Sequence, residues 1–175
     1  MSRAYTKLAF TPAVKGFQER YGSRGAYARQ EGEAEDMLSE HERSFIESID
    51  GFYLASLSES GWPYVQFRGG RPGFLKVLDP RTLAFLDLRG NKQYLSVGNI
   101  SVNDKVSLFL MDYANQRRLK IWGKARLEED VSNLFPGPVD KRVERAMVIS
   151  VAAFDWNCPQ HIPRRFTLEQ LEALG

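Results

Sequence analysis

The residues with the most chemistry in this sequence are basic and lie close together. Arg68, Arg71, Lys76, Arg81, Arg89 and Lys92 all fall within residues 63–99, interleaved with glycines and aromatics. Inside that block, Asp87-Leu88-Arg89-Gly90-Asn91-Lys92 reads as the end of a strand and the opening of a helix. A helix N-terminus carries unpaired backbone N–H groups and the positive end of the helix dipole, so it accepts a phosphate readily. Asn91 is placed to cap that helix, and Lys92 adds a full charge. Arg71 and Lys76 occupy nearby strand positions able to close on the same anion. One by one these are ordinary solvated turn charges, because Arg and Lys are mostly surface residues. As a set they describe an anion site.

A second group is Trp156-Asn157-Cys158-Pro159-Gln160-His161, which holds the only cysteine and one of the two histidines. A Cys–His pair is a potential thiolate nucleophile or redox group. The spacing alone sets neither pKa nor geometry. The simpler reading is a loop that packs over a ligand or partner, with Trp156 stacking and Asn157, Gln160 and His161 making polar contacts. A single cysteine excludes an internal disulfide and a cysteine-built metal site. With His41 and His161 as the only imidazoles, no metal centre is expected.

These groups must be positioned by a chain of 175 residues, the size of one domain with a substantial core. Residues 1–50 read as a helical arm. Thr11-Pro12 is a helix start, followed by an apolar stripe at Ala13, Val14, Phe17 and Tyr21. Ser39-x-x-Glu42 is a capping box that opens a helix through Phe45 and Ile46. The charged segment between them, Gly25 to Asp36, reads as loop or a loose helical turn.

Residues 51–157 carry short strands separated by turn signals: 52–57, 63–67, 74–78, 82–86, 106–111, 118–127 and 146–154. Such strands at such spacing suggest an antiparallel barrel or sandwich. A short helix is expected at Lys92 to Val97, closed by Gly98-Asn99. The strand at 118–127 alternates cleanly, with Leu119, Ile121, Gly123, Ala125 and Leu127 on one face and Arg118, Lys120, Trp122, Lys124 and Arg126 on the other. Trp122 on a charged face calls for a cover, either a partner subunit or a ligand. Residues 158–175 form a C-terminal loop and a short helix opened by Thr167-x-x-Gln170.

Composition is globular: 43% hydrophobic, 12% aromatic, 26% charged and a net charge of +2. The basic strip around Trp122 resembles a single-strand nucleic-acid surface. The near-balanced charge and the lack of any accompanying motif argue against a nucleic-acid partner. No apolar run approaches the roughly 20 residues that span a membrane. The N-terminus lacks a leader's apolar region, so the cytoplasm is the expected compartment.

The block 50–128 resembles the FMN-binding half of the pyridoxamine 5′-phosphate oxidase superfamily. Arg71-Pro72-Gly73-Phe74-Leu75-Lys76 stands where the oxidases have an Arg and a strand bearing a Lys. Phe85-Leu86-Asp87 stands at their strand end, and Asn91-Lys92-Gln93 stands where Ser-Arg-Lys opens their helix. Asn103 to Leu108 and Gly123-Lys124-Ala125 are similar to the strand entry and the Gly-x-Ala strand that follow. The opening Pro12-x-Val14, Gln18, Gly22-Ser23-Arg24 pattern and the tail Asp155 to Ile162 look like the predicted flavin-nucleotide-binding subfamily.

The resemblance implies a mainly β fold with helices (α+β), a six-stranded antiparallel split β-barrel. It implies a homodimer with FMN at its interface. It assigns Arg71, Lys76 and Lys92 to the FMN phosphate, with the helix start at Asn91 and Gln93. The backbone of Gly73 and Phe74 would lie against the flavin ring, beside Leu86, Asp87, Trp156 and Asn157. Arg118 would stand near a flavin-contacting Gln. Two departures stand out. Asp87 replaces a Thr beside the phosphate, where a carboxylate repels, and Gln93 replaces a cation. The oxidase segment that grips pyridoxamine phosphate is not found, which argues against vitamin B6 chemistry.

Two functions remain open on this reading. One is an FMN oxidoreductase for a small organic substrate, with NAD(P)H as a transient donor since no Gly-x-Gly-x-x-Gly fingerprint is present. The other is a non-catalytic FMN carrier, storage or sensor protein. No catalytic side chain is identified.

Overall fold

The computed structural model describes residues 2–32 and 34–172. Residues 173–175, the end of the expected C-terminal segment, lie outside the described residues. The arm contains α1 (Arg3–Ala9), α2 (Pro12–Arg20), α3 (Arg24–Ala28) and α4 (Glu40–Ser48). Then come β1 (Gly51–Leu57), β2 (Pro63–Gly69), β3 (Lys76–Asp79), β4 (Thr82–Leu88), α5 (Leu95–Val102), β5 (Lys105–Asp112), β6 (Arg117–Glu128), β7 (Val143–Trp156) and α6 (Leu168–Glu172).

Local chemistry explains several of these boundaries. Thr11 Oγ1 accepts from Val14 N and starts α2 with Pro12 at its first position. Ser39 and Glu42 form the reciprocal capping box that starts α4. The α2 face is the reverse of the expected one. Val14, Phe17 and Tyr21 are exposed and Gln18 is buried. The cause is the polar docking of α2 on α3: Arg24 Nη1 donates to Gln18 Oε1, while Lys15 and Arg24 both pair with Glu31.

The strands form one antiparallel sheet in the order β2-β1-β5-β6-β7-β4-β3. This corrects the six-stranded split barrel implied by the resemblance: the α+β character holds, but seven strands make one open sheet whose end strands do not pair among the described residues. Its inner face, with Leu54, Phe85, Leu108, Ile121 and Ile149 among others, encloses the main core together with α4 and Ile100 of α5. The alternation expected for β6 is present, Leu119, Ile121 and Ala125 being buried.

A register shift between Trp122 and Gly123 breaks the β6–β7 pairing. A side chain at Gly123 would sit 2.7 Å from both Ile149 Cγ2 and Ser150 O, so only glycine fits at this bulge. The bulge exchanges the inner and outer faces of β7. Met147 and Ile149 point into the core before it, and Phe154 and Trp156 pack against the core after it.

Two tryptophans therefore settle differently from expectation. Trp122 finds a cover within the chain itself, in α1, whose Tyr5 ring lies 4.9 Å from it. Trp156 is clamped to the arm. Its Nε1 donates to Glu42 Oε1 at 2.8 Å, its ring lies 4.7 Å from Phe45, and the Arg117 guanidinium sits 5.1 Å from its face. Burial pushes the Glu42 carboxyl up, but the bonds from Ser39 and Trp156 outweigh it and hold the pKa below the usual value. Replacing Trp156 by Phe removes one bond from a buried carboxylate and some packing, so it should cost about 2–3 kcal/mol. Denaturant unfolding measures this, and an unchanged midpoint would show that the clamp does not hold the arm.

Candidate functional site

β2, at one end of the open sheet, approaches β4 without backbone pairing, and side chains bridge the gap. Arg68 of β2 faces inward beside Gln66 and Tyr64, on the face set by their pairing with Phe52, Leu54 and Ser56 of β1. Arg68 Nη1 donates to Asp87 Oδ1 of β4 at 2.9 Å. Arg145 of β7, paired with Asp87 across the sheet, brings its Nε to 3.9 Å from Asp87 Oδ2. Asp87 is 5% exposed. Its burial raises its pKa and outweighs the two arginines, which lower it, while Glu144 adds to the rise.

A cleft of 240 Å³ opens along this seam. Its walls are Tyr64, Gln66 and Arg68 on one side, and the continuous segment Asp87 to Val97 on the other. That segment leaves β4, turns, and enters α5. The helix begins at Leu95 rather than Lys92 and runs through Gly98 and Asn99 to Val102, which corrects the expected short helix. The reason is backbone conformation: Gly90, Lys92 and Tyr94 have φ of 44°, 60° and 52°. Left-handed residues cannot continue a right-handed helix. Asn91 therefore caps no helix; its side chain accepts from Gln93 N at 3.1 Å.

The alternating left-handed residues make a compact loop closed on itself, Lys92 N donating to Arg89 O at 3.2 Å. The loop leads into the first turn of α5, where Leu95, Ser96 and Val97 line the cleft. The α5 N-cap, Tyr94, makes no side-chain cap bond, so those first-turn donors have no intrahelical acceptor. Lys92 and Arg89 add exposed charges to the rim, and Arg68 Nε is buried with no hydrogen-bond partner among the described residues. The cleft lining thus carries three basic side chains, Arg68, Arg89 and Lys92, and one carboxylate, Asp87, which is engaged by arginines.

Residues 38–166 match the family model for pyridoxamine 5′-phosphate oxidase. The chain belongs to this family. Solved structures of similar fold include a Lactobacillus delbrueckii protein named for pyridoxamine 5′-phosphate oxidase, 20% identical over 69% of this chain and 94% of that one, TM-score 0.55. HupZ of Group A Streptococcus is 13% identical over 74% and 100%, TM-score 0.53. An FMN-binding protein of Syntrophomonas wolfei is 11% identical over 82% and 96%, TM-score 0.50. At these identities the likeness is one of fold. No protein of curated function matches the sequence.

Of the residues that the resemblance to the pyridoxamine 5′-phosphate oxidase family singles out, the structure brings Asp87, Asn91, Lys92 and Gln93 to the cleft. Leu86 points to the opposite face of β4, into a small cluster around Phe135. Lys76 lies on that outer face too, its Nζ 4.7 Å from the Phe135 ring. Arg71 is exposed on the turn after β2, and Phe74 packs on Phe52 with ring centroids 5.7 Å apart. Gly73 takes a left-handed φ of 86° in that turn. Arg118 is half-buried on the outer face of β6, with its Nε unpaired among the described residues. Trp156 is committed to α4, and Asn157 Nδ2 bonds Asp155. Cys158 and His161 are both exposed.

Tyr64, Gln66, Tyr94 and Arg145 were missed from the sequence. The inward alternation of β2 was the available signal for the first two.

The raised pKa of Asp87 has a definite consequence for stability. A group whose pKa is higher in the folded state stabilises fully below its unfolded value, and that contribution is lost as pH rises through the folded value. The Asp87→Asn variant should therefore gain stability relative to wild type as pH rises from the ordinary aspartate value of 3.8 toward neutrality. Urea unfolding at several pH values measures the difference. A relative loss over that range would mean that the arginines dominate the site.

Proposed function

We propose that this chain binds FMN as a homodimer and acts as an oxidoreductase on a small organic substrate other than a B6 vitamer. The observation that carries the reading is the uncapped start of α5 lining the same cleft as Lys92 and the unpaired Nε of Arg68. That donor set fits a phosphate monoester. Membership of the family and the fold shared with the Syntrophomonas wolfei FMN-binding protein support the choice.

Within such a complex, Lys92 and the first-turn N–H groups of α5 hold the phosphate, and Arg68 balances its charge. Gln66 and Tyr64 offer polar partners to the ribityl hydroxyls. Asp87 stays on its arginines, which removes the repulsion expected from a carboxylate at this position. Bound FMN supplies hydride or one-electron chemistry, while the protein supplies binding, orientation and exclusion of side reactions. NAD(P)H is the proposed donor.

The size of the cleft supports a second copy. At 240 Å³ it is smaller than the roughly 300–1,000 Å³ of a complete small-molecule site. It accommodates the phosphate end and leaves the ring to other walls. The outer face of β1 and β2 is apolar and open, with Tyr53, Leu57, Val65 and Phe67 exposed and Trp62 beside them 75% exposed. An apolar patch of this kind marks an association surface, and two-fold pairing is the commonest way to cover one. Gly73, Phe74 and Arg118 remain the proposed contacts of the ring in the dimer, and Arg71 a proposed contact of the phosphate.

Two measurements test the proposal. Protein reconstituted with FMN should retain about one flavin per chain, and Lys92→Ala should weaken retention about tenfold or more, the worth of a charge-assisted bond. No retained flavin in the wild type would end the cofactor reading, and flavin held without NAD(P)H turnover would favour a carrier. Separately, Val65→Asp with Phe67→Asp should convert a dimer to monomers in sedimentation analysis. An unchanged dimer would place the interface elsewhere.

A further inference from the structure

Tyr94 is an unusual residue to find where α5 begins. A helix start ordinarily uses a Ser, Thr, Asp or Asn in extended conformation. Tyr94 instead holds φ 52° and contributes no side-chain cap. For a bulky residue the left-handed conformation is strained and persists only where its surroundings impose it. Here β7 imposes it. The Tyr94 hydroxyl donates to Glu144 Oε1 at 3.1 Å, and the Arg145 guanidinium lies 5.6 Å from the centre of its ring. Glu144 Oε2 accepts from Arg145 Nη2 at 2.9 Å, so a single carboxylate ties the tyrosine and the arginine together. Burial and the Glu144 bond together push the Tyr94 hydroxyl pKa up, in keeping with a phenol kept as a donor.

The consequence reaches the cleft by two routes. The Tyr94 carbonyl accepts from Gly98 N at 2.7 Å, so the position of Tyr94 sets the first turn of α5, whose residues Leu95 to Val97 line the cleft. Arg145 also extends to Asp87, which in turn holds Arg68 on the opposite wall. One chain of polar contacts thus positions both the helix donors and the facing guanidinium.

We infer that Tyr94 and Glu144 are positioning residues, a strap that presets the cleft for a phosphate group and gives the site its preference for the phosphorylated flavin over the unphosphorylated one. This rests on the FMN reading and goes beyond it. It assigns the selectivity to two residues on elements remote in sequence, neither of which needs to touch the flavin ring.

The test is a comparison of FMN and riboflavin affinities by flavin fluorescence quenching. Tyr94 is 42% exposed, and Tyr94→Phe removes a single oxygen, so the variant keeps its core. Loss of one positioning hydrogen bond should weaken FMN about fivefold and leave riboflavin within roughly twofold of wild type. Glu144→Ala should do the same, and Glu144→Gln, which keeps an acceptor for the hydroxyl, should retain most of the preference. If the wild type prefers FMN and Tyr94→Phe and Glu144→Ala preserve the full preference, the strap is overturned while the cofactor reading stands. If the wild type binds neither flavin, both fall together.

Discussion

A carboxylate at 5% exposure keeps its charge only with partners close at hand, and Asp87 draws its partners from two strands that never pair with each other. Arg68 comes from β2 at one end of the sheet and Arg145 from β7, the neighbour of β4. The Arg68–Asp87 pair closes the seam that backbone hydrogen bonds leave open. It also fixes the wall of the cleft, because Arg68 is both a bridge and a lining residue. Much of the site depends on this one contact: remove the carboxylate and two guanidiniums lose their anchor, remove an arginine and a buried charge is left exposed to its own desolvation cost.

The opposite wall is held by conformation rather than by charge. Three left-handed residues in the loop before α5 carry strain at the two that are not glycine, Lys92 and Tyr94. Strain of this kind persists where surrounding contacts dictate it. The backbone bond from Arg89 N to Arg142 O and the side-chain bond from Tyr94 to Glu144 supply such contacts, from the residue before β7 and from its start. The last strand of the sheet is therefore the brace for a loop more than forty residues earlier in the chain.

The helical arm stabilises the far side. α4 closes the core and grips Trp156, while α1 lies on the outer face of the sheet over Trp122 and Ala153. What the arm leaves open is the outer face of β1 and β2. In the proposed dimer that remaining face is the one a second copy would cover.

The sequence by itself determined the parts that local physics controls. Helix caps at Thr11 and Ser39 depend on a side chain and the next few backbone groups, and both form as read. Strand alternation at β6 depends only on a two-residue period, and the seven strand segments counted from the residues all exist. The run from Asp87 to Gln93 was legible as a strand end that turns toward a helix, but the left-handed Lys92 and Tyr94 delay the start of α5 to Leu95. Everything that required two distant segments to meet was decided by the tertiary structure. The bulge at Gly123 reversed the faces of β7 and sent Trp156 to α4. The docking of α2 on α3 turned an apolar stripe outward. Asp87, which reads as a repulsive residue beside a phosphate, became a structural anion once Arg68 and Arg145 arrived from other strands. The reason is common to all three: a side chain's role depends on its neighbours in space, and here those neighbours are dozens of residues away along the chain.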